Sequence, residues 1–208
     1  APLMTFRAIV RANLSGPAPK TVFVCALLPL MVMIWQIATN ALGPDPAEPL
    51  MQGTGEWALR LLVLVLLARP ASRLGWSLLF RHRRMLGLFT FFYATVHLLL
   101  FAQVYIAWSA PILVEELAER PYVIVGASAW LLLLPLAITS TDAMRRTLKQ
   151  RWRQLHRLAY GVAVLGVLHL LWLSRSDIGT PLVYGGIFAV LLLWRLVVFL
   201  QRRRSVLT

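Results

Sequence analysis

Met85-Leu-Gly-Leu-Phe-Thr-Phe-Phe-Tyr-Ala-Thr-Val-His97-Leu-Leu-Leu-Phe-Ala-Gln-Val-Tyr-Ile-Ala-Trp-Ser-Ala-Pro-Ile-Leu-Val114 contains no Asp, Glu, Lys or Arg. A helix needs about 20 largely apolar residues to cross a bilayer's hydrocarbon core, and this stretch exceeds that. Only one of its side chains, the imidazole of His97, titrates near neutrality. The rest of the chain has the same character. Of 208 residues 59% are apolar and 14% charged, and the mean hydropathy is +0.72. Too few polar side chains are left to coat a soluble globule. The formal charge is nevertheless +13. Basicity in so apolar a chain predicts cationic loops between membrane spans rather than a nucleic-acid binder. The single cysteine, Cys25, excludes an intrachain disulfide framework or a cysteine-cluster metal site.

Charged residues mark off the remaining spans. The expected set is Thr21 to Ala41, Thr54 to Leu74, a third within Met85 to Val114, Tyr122 to Thr139, Gln154 to Leu173 and Pro181 to Leu200. Loops between them alternate in sign. Arg7, Arg11 and Lys20 precede the first span; Arg69 and Arg73 lie at the end of the second, with Arg81, Arg83 and Arg84 after it; Arg145, Arg146, Lys149, Arg151 and Arg153 follow the fourth; Arg202, Arg203 and Arg204 end the chain. The intervening loops hold Asp45, Glu48 and Glu56, then Glu115, Glu116 and Glu119. Cytoplasmic loops are the Lys/Arg-rich ones. The expectation is therefore an all-α integral membrane protein, a six-helix transmembrane bundle with both termini cytoplasmic. Residues 1–20 form an inner segment, 21–200 the bundle and 201–208 a basic tail. No internal repeat is visible.

Ionisable groups inside spans are costly and usually functional. At a rise of 1.5 Å per residue, His97 and His169 each lie about 20 Å from the cationic end of helices running in the same direction. They share a depth in the outer half. Two imidazoles facing across a bundle core can hold haem b axially; alternatively, each simply bonds a neighbouring helix. No acid or cysteine lies close enough in sequence to suggest zinc instead. Ala94, Gly161 and Gly166 either leave room for a flat macrocycle or are ordinary close-packing positions. His156 lies about 20 Å below His169 but about 140° around the helix, so a second cofactor there requires a kink or an off-axis approach. His82, among Arg81, Arg83 and Arg84, reads as solvated loop. Arg60 either offers a counter-charge to a haem propionate or snorkels to the interface. Tyr93 and Trp130 are electron-path candidates that packing explains better.

Arg83-Arg-Met-Leu-Gly-Leu88 with Ala94-Thr-Val-His97-Leu, Arg120-Pro-Tyr122, Thr139-Ser-Thr-Asp-Ala-Met144, and Arg151-Trp152 with Gln154-Leu-His156 together resemble the MsrQ family. These are haem-binding membrane subunits of periplasmic methionine sulfoxide reductase systems, a branch of the ferric-reductase-like transmembrane family. The resemblance runs from about Gly53 to His169 and more loosely into span six. It implies a multi-pass protein of the bacterial inner membrane, with haem b on His97 and His169 and with His156 on a family histidine position. It also implies an electron-transfer subunit rather than the catalytic one. The donor would be the quinone pool or a cytoplasmic flavin reductase, with FMN a further cofactor of the family. The acceptor would be a periplasmic molybdenum-cofactor subunit, MsrP-like, that repairs oxidised methionine in proteins. Arg84, Arg146, Trp152 and His156 are the donor-side candidates, and Glu115, Glu116 and Glu119 could guide the acceptor.

The larger family has two histidines on each of two helices. Here Arg83 stands fourteen residues before His97, so one haem site is expected and a second haem, flavin or quinone is left open near His156. Readings from other classes are a quinol-oxidising cytochrome b subunit of a different periplasmic oxidoreductase, and a cofactor-free membrane scaffold.

Overall fold

The computed structural model describes residues 17–174 and 178–207. Arg7 and Arg11 lie outside the described residues, as do the side chains of Arg202, Arg203 and Arg204. Everything described is helix, turn or short connection, with no strand. The helices are α1 (Pro17–Ala38), α2 (Ala47–Arg73), α3 (Ser77–Phe101), α4 (Ala110–Glu119), α5 (Pro121–Ile138), α6 (Asp142–Leu155), α7 (Leu158–Leu173) and α8 (Gly179–Leu207). The turn from α2 to α3 is only Leu74 to Trp76, tightened by Gly75 at φ +93°, a conformation available to glycine without a Cβ clash. Proline opens α5 at its first position, where its missing N–H costs nothing. Thr141 caps α6 by accepting from the Met144 amide at 3.1 Å.

Five helices, α2, α3, α5, α7 and α8, pack side by side in a ring, and α1 leans on α3 and α2 from outside. The axis of the ring holds the histidine pair toward one end and a cavity toward the arginine-rich end. An aliphatic cluster of Leu62, Leu66, Leu133, Val162, Ala163, Phe188 and Leu191 fills the middle. A second cluster, around Leu61, Met85, Phe89 and Tyr93, joins α1 to α2 and α3.

Prolines inside helices leave carbonyls without their usual N–H partner, and side chains of other helices bond the backbone at or beside two of these prolines. Pro70 cannot donate to the Leu66 carbonyl; Arg195 of α8 donates to it instead at 3.1 Å and also bonds the Tyr160 hydroxyl. Beside Pro29, the Tyr93 hydroxyl accepts from the Leu30 amide at 3.1 Å and donates to the Ala26 carbonyl at 2.9 Å. Those two groups pair with each other in an unbroken helix.

Among the described residues five helices are long and apolar enough to cross a membrane, and α6 and α7, bent by 45°, make a sixth crossing if they count as one. The expected span Gln154 to Leu173 thus straddles a break at His156–Arg157. Two loops read from their charge are in fact the amphipathic helices α4 and α6. In α4, Glu115, Glu116 and Glu119 gather on one side of the helix while Leu113 and Leu117 lie on the other, so charge marked a face and not a loop. His82 also departs from expectation. It lies within α3, 9% exposed, because it shares the 3.6-residue period of Met85, Leu86, Phe89 and Tyr93 on the packed face.

Candidate functional site

His97 projects from α3 and His169 from α7 into the ring. Their ring centres are 6.1 Å apart and their planes stand at 89°. Neither imidazole is left to rotate. Nδ1 of His97 bonds the Met51 carbonyl of α2 at 2.9 Å, and Nδ1 of His169 bonds the Tyr122 carbonyl of α5 at 2.7 Å. A carbonyl only accepts, so each Nδ1 carries the hydrogen and each neutral imidazole keeps its lone pair on Nε2. A backbone carbonyl on the second nitrogen is the arrangement that orients metal-bound histidines and raises their basicity.

The space around the rings is cut to fit them. A Cβ added at Gly126 would come within 2.8 Å of the His169 ring, and one at Gly55 within 3.2 Å of the His97 ring. With ring centres 6.1 Å apart, the two imidazoles are near enough for both to hold one metal centre through a ring nitrogen at about 2.0 Å each. The donor set, two neutral nitrogens in apolar surroundings, suits haem iron better than a hard cation. Among the described residues no group of three or more His, Cys, Asp or Glu could hold a bare metal ion.

Toward the arginine end lies a cavity of about 860 Å³, lined by Arg69, Arg83, Arg84, Arg153, Arg157 and Arg195, with Phe80, Trp152, His156, Tyr160 and Trp194. Its far end is apolar, formed by Leu62, Leu66, Leu133 and Thr90. No carboxylate lines it among the described residues. Asp142 stands behind the wall, accepting two hydrogen bonds from Arg84 at 2.6 and 3.3 Å. These bonds hold its carboxyl below the usual carboxylate range. The His156 ring stacks on Trp152 at 3.8 Å and its Nδ1 bonds the Trp152 carbonyl at 3.0 Å. Its Nε2 is buried without a protein partner among the described residues. The Trp152 indole is itself fixed by donating to the Thr139 carbonyl at 2.9 Å. The helix breaks beside His156, where α6 and α7 meet at a bend of 45°.

The structure therefore joins His97 to His169, and joins Arg84, Trp152 and His156 around the cavity. Arg146 is exposed on α6 and does not line it. Arg60 is paired with Glu56 and lies over the Trp57 ring at 4.8 Å, five residues beyond Gly55. That arrangement fits the interface reading. Gly161 and Gly166 receive Leu132 and Leu59 of neighbouring helices, so they are packing positions. Trp130 donates to Thr95 at 3.0 Å. The site residues that sequence reasoning missed are Met51, Gly55, Tyr122 and Gly126.

Residues 54–167 match the family model described as ferric reductase like transmembrane component. The chain belongs to this family. Within it, the chain is 44% identical over 205 residues to a protein of Xanthomonas axonopodis pv. citri, covering 95% of this chain and 94% of the relative. It is 45% identical over 195 residues to one from Xanthomonas oryzae pv. oryzae, at 90% and 89% coverage. A Rhodospirillum rubrum relative is 44% identical over 188 residues, at 88% and 89%. All three are named protein-methionine-sulfoxide reductase heme-binding subunit MsrQ, which identifies the branch as the MsrQ family. No solved structure matches. The family match starts at Thr54 and ends at Val167, so it covers most of α2 through most of α7, including His97, and leaves out α1, α8, Met51 and His169.

Proposed function

We propose that this MsrQ-family chain is a b-type cytochrome of the bacterial inner membrane. It carries electrons from quinol or a cytoplasmic flavin reductase to a periplasmic, molybdenum-cofactor, MsrP-like subunit that repairs methionine sulfoxide in oxidised proteins. The observation that carries this reading is the His97–His169 pair, two opposed imidazoles whose Nδ1 atoms are both held by backbone carbonyls. The names of the relatives support it. Haem b bound there would supply a one-electron carrier.

The chain's own residues do the rest. His97 and His169 would hold the haem iron through Nε2, the nitrogen their carbonyl bonds leave free. The Leu62, Leu66 and Leu133 cluster keeps water from running between the histidine pair and the cavity. By the positive-inside rule the arginine end is cytoplasmic, which places Arg84, Trp152 and His156 on the donor side. There the arginines would favour an anionic ligand such as the phosphate of FMN, and His156 Nε2 offers a hydrogen-bond acceptor or a metal ligand to a flavin, quinone or second haem. On the other face, the acids of α4 are placed to guide the acceptor subunit.

The test is a dithionite-reduced minus oxidised spectrum of the purified protein, with haem and flavin counted per chain. One b-type haem supports the histidine pair as its site. A colourless protein, even when haem is supplied during expression, defeats the reading and favours a scaffold.

A further inference from the structure

The two histidines are held by one device used twice. The carbonyl that receives His97 belongs to Met51, four residues before Gly55; the carbonyl that receives His169 belongs to Tyr122, four residues before Gly126. In an α-helix the residue at i+4 sits directly over carbonyl i. A side chain there covers the approach, and glycine leaves a notch. Both imidazoles lie in such notches, with a Cβ at 3.2 Å from one ring and 2.8 Å from the other.

The correspondence is regular along the chain. Met51 to Tyr122 and Gly55 to Gly126 are each 71 residues apart, and His97 to His169 is 72. The cavity obeys the same offsets. Leu62 and Leu133 line it 71 apart, as do Arg69 and Ser140, while Phe80 and Trp152 line it 72 apart, as do Arg84 and His156. The hairpin α2–α3 thus corresponds to α5–α7, with one extra residue in the second connection. The residue equivalent to His156 is Arg84, the neighbour of Arg83.

We propose that the site is built from two copies of this hairpin about a pseudo-twofold axis, and that Gly55 and Gly126 are the positioning residues of its two imidazoles. Each glycine admits its histidine to a backbone carbonyl. This rests on the haem reading above. Withdrawing the carbonyl from Nδ1 makes an imidazole less basic and a weaker partner for oxidised iron. The midpoint potential then rises, and the relative rotation of the two rings changes.

The experiment uses the full-length protein with haem supplied, in the variants Gly55→Ala, Gly126→Ala and Gly186→Ala. A Cβ at Gly186 meets nothing within 4 Å. Haem per chain, the anisotropy of the low-spin electron paramagnetic resonance signal and the midpoint potential are read for each. Gly126→Ala, the tighter notch, is expected to lose at least half its haem, the remainder showing a raised potential. Gly55→Ala keeps its haem and shows a smaller rise with an altered signal, and it decides the matter if Gly126→Ala does not accumulate. Gly186→Ala matches the parent. Parent values of signal and potential in Gly55→Ala, and in any Gly126→Ala obtained, overturn the proposal. Full haem in both His97→Ala and His169→Ala would instead overturn the haem reading beneath it.

Discussion

At the histidine end of the axis, two imidazoles lie 6.1 Å apart, each with its Nδ1 committed to a backbone carbonyl. At the arginine end, the same helices line a cavity with six guanidinium groups, and the side chains at corresponding positions are no longer alike, Arg84 in one hairpin standing where His156 stands in the other. A symmetric pair of strong ligands can fix one metal centre rigidly. A cationic pocket with a single imidazole instead favours an anionic or exchangeable ligand. On the proposed function, one scaffold would hold a permanent carrier at one end and a donor site at the other.

Exchanging histidines between the two regions should break the comparison most visibly. His97→Ala and His169→Ala should each abolish the b-type absorbance, while His156→Ala should retain the signal of the outer pair, all measured as pyridine haemochrome per chain. Equal loss in all three would remove the distinction between the ends. A smaller effect is expected for Arg195→Met, which strands the Leu66 carbonyl and the Tyr160 hydroxyl at the cavity wall. Stranding such a group costs about 1–3 kcal/mol, seen as a lower melting temperature in detergent with the haem spectrum retained.

Tyr93→Phe should cost less, about 1 kcal/mol for its hydrogen bonding to α1. It should also leave the haem signal in place, because α1 stands outside the ring. The smallest effect concerns Asp142. Its carboxyl is held low by Arg84, so its contribution is present above the ordinary carboxylate pKa and is lost as pH falls through the depressed value. A melting-temperature titration from neutral to acid pH should therefore show a slightly steeper acid decline in the parent than in Asp142→Asn.

The histidine pair could be reached from sequence because depth in a membrane helix is a count of residues from a charged end, and both counts came to about the same value. The carbonyls of Met51 and Tyr122 could not, since a backbone acceptor leaves no mark on residue identity. Gly55 and Gly126 did leave one. Each begins a stretch that recurs with the His-Leu-Leu runs at nearly constant offset, yet too few side chains are shared for the repeat to stand out. The helices α4 and α6 were hidden for a different reason. Charged residues separate spans well, but they do not distinguish a loop from an amphipathic helix. His82 was misjudged from its arginine neighbours, when its spacing from Met85, Phe89 and Tyr93 was the better guide.

If His97 and His169 hold one haem between them with their rings crossed at 89°, low-temperature electron paramagnetic resonance of the purified, oxidised protein should show it. The expected result is a strongly anisotropic low-spin signal, as crossed imidazoles give, that integrates to one centre and vanishes in His97→Ala and in His169→Ala. A high-spin signal alone in the parent, or a low-spin signal that survives both substitutions, would contradict it.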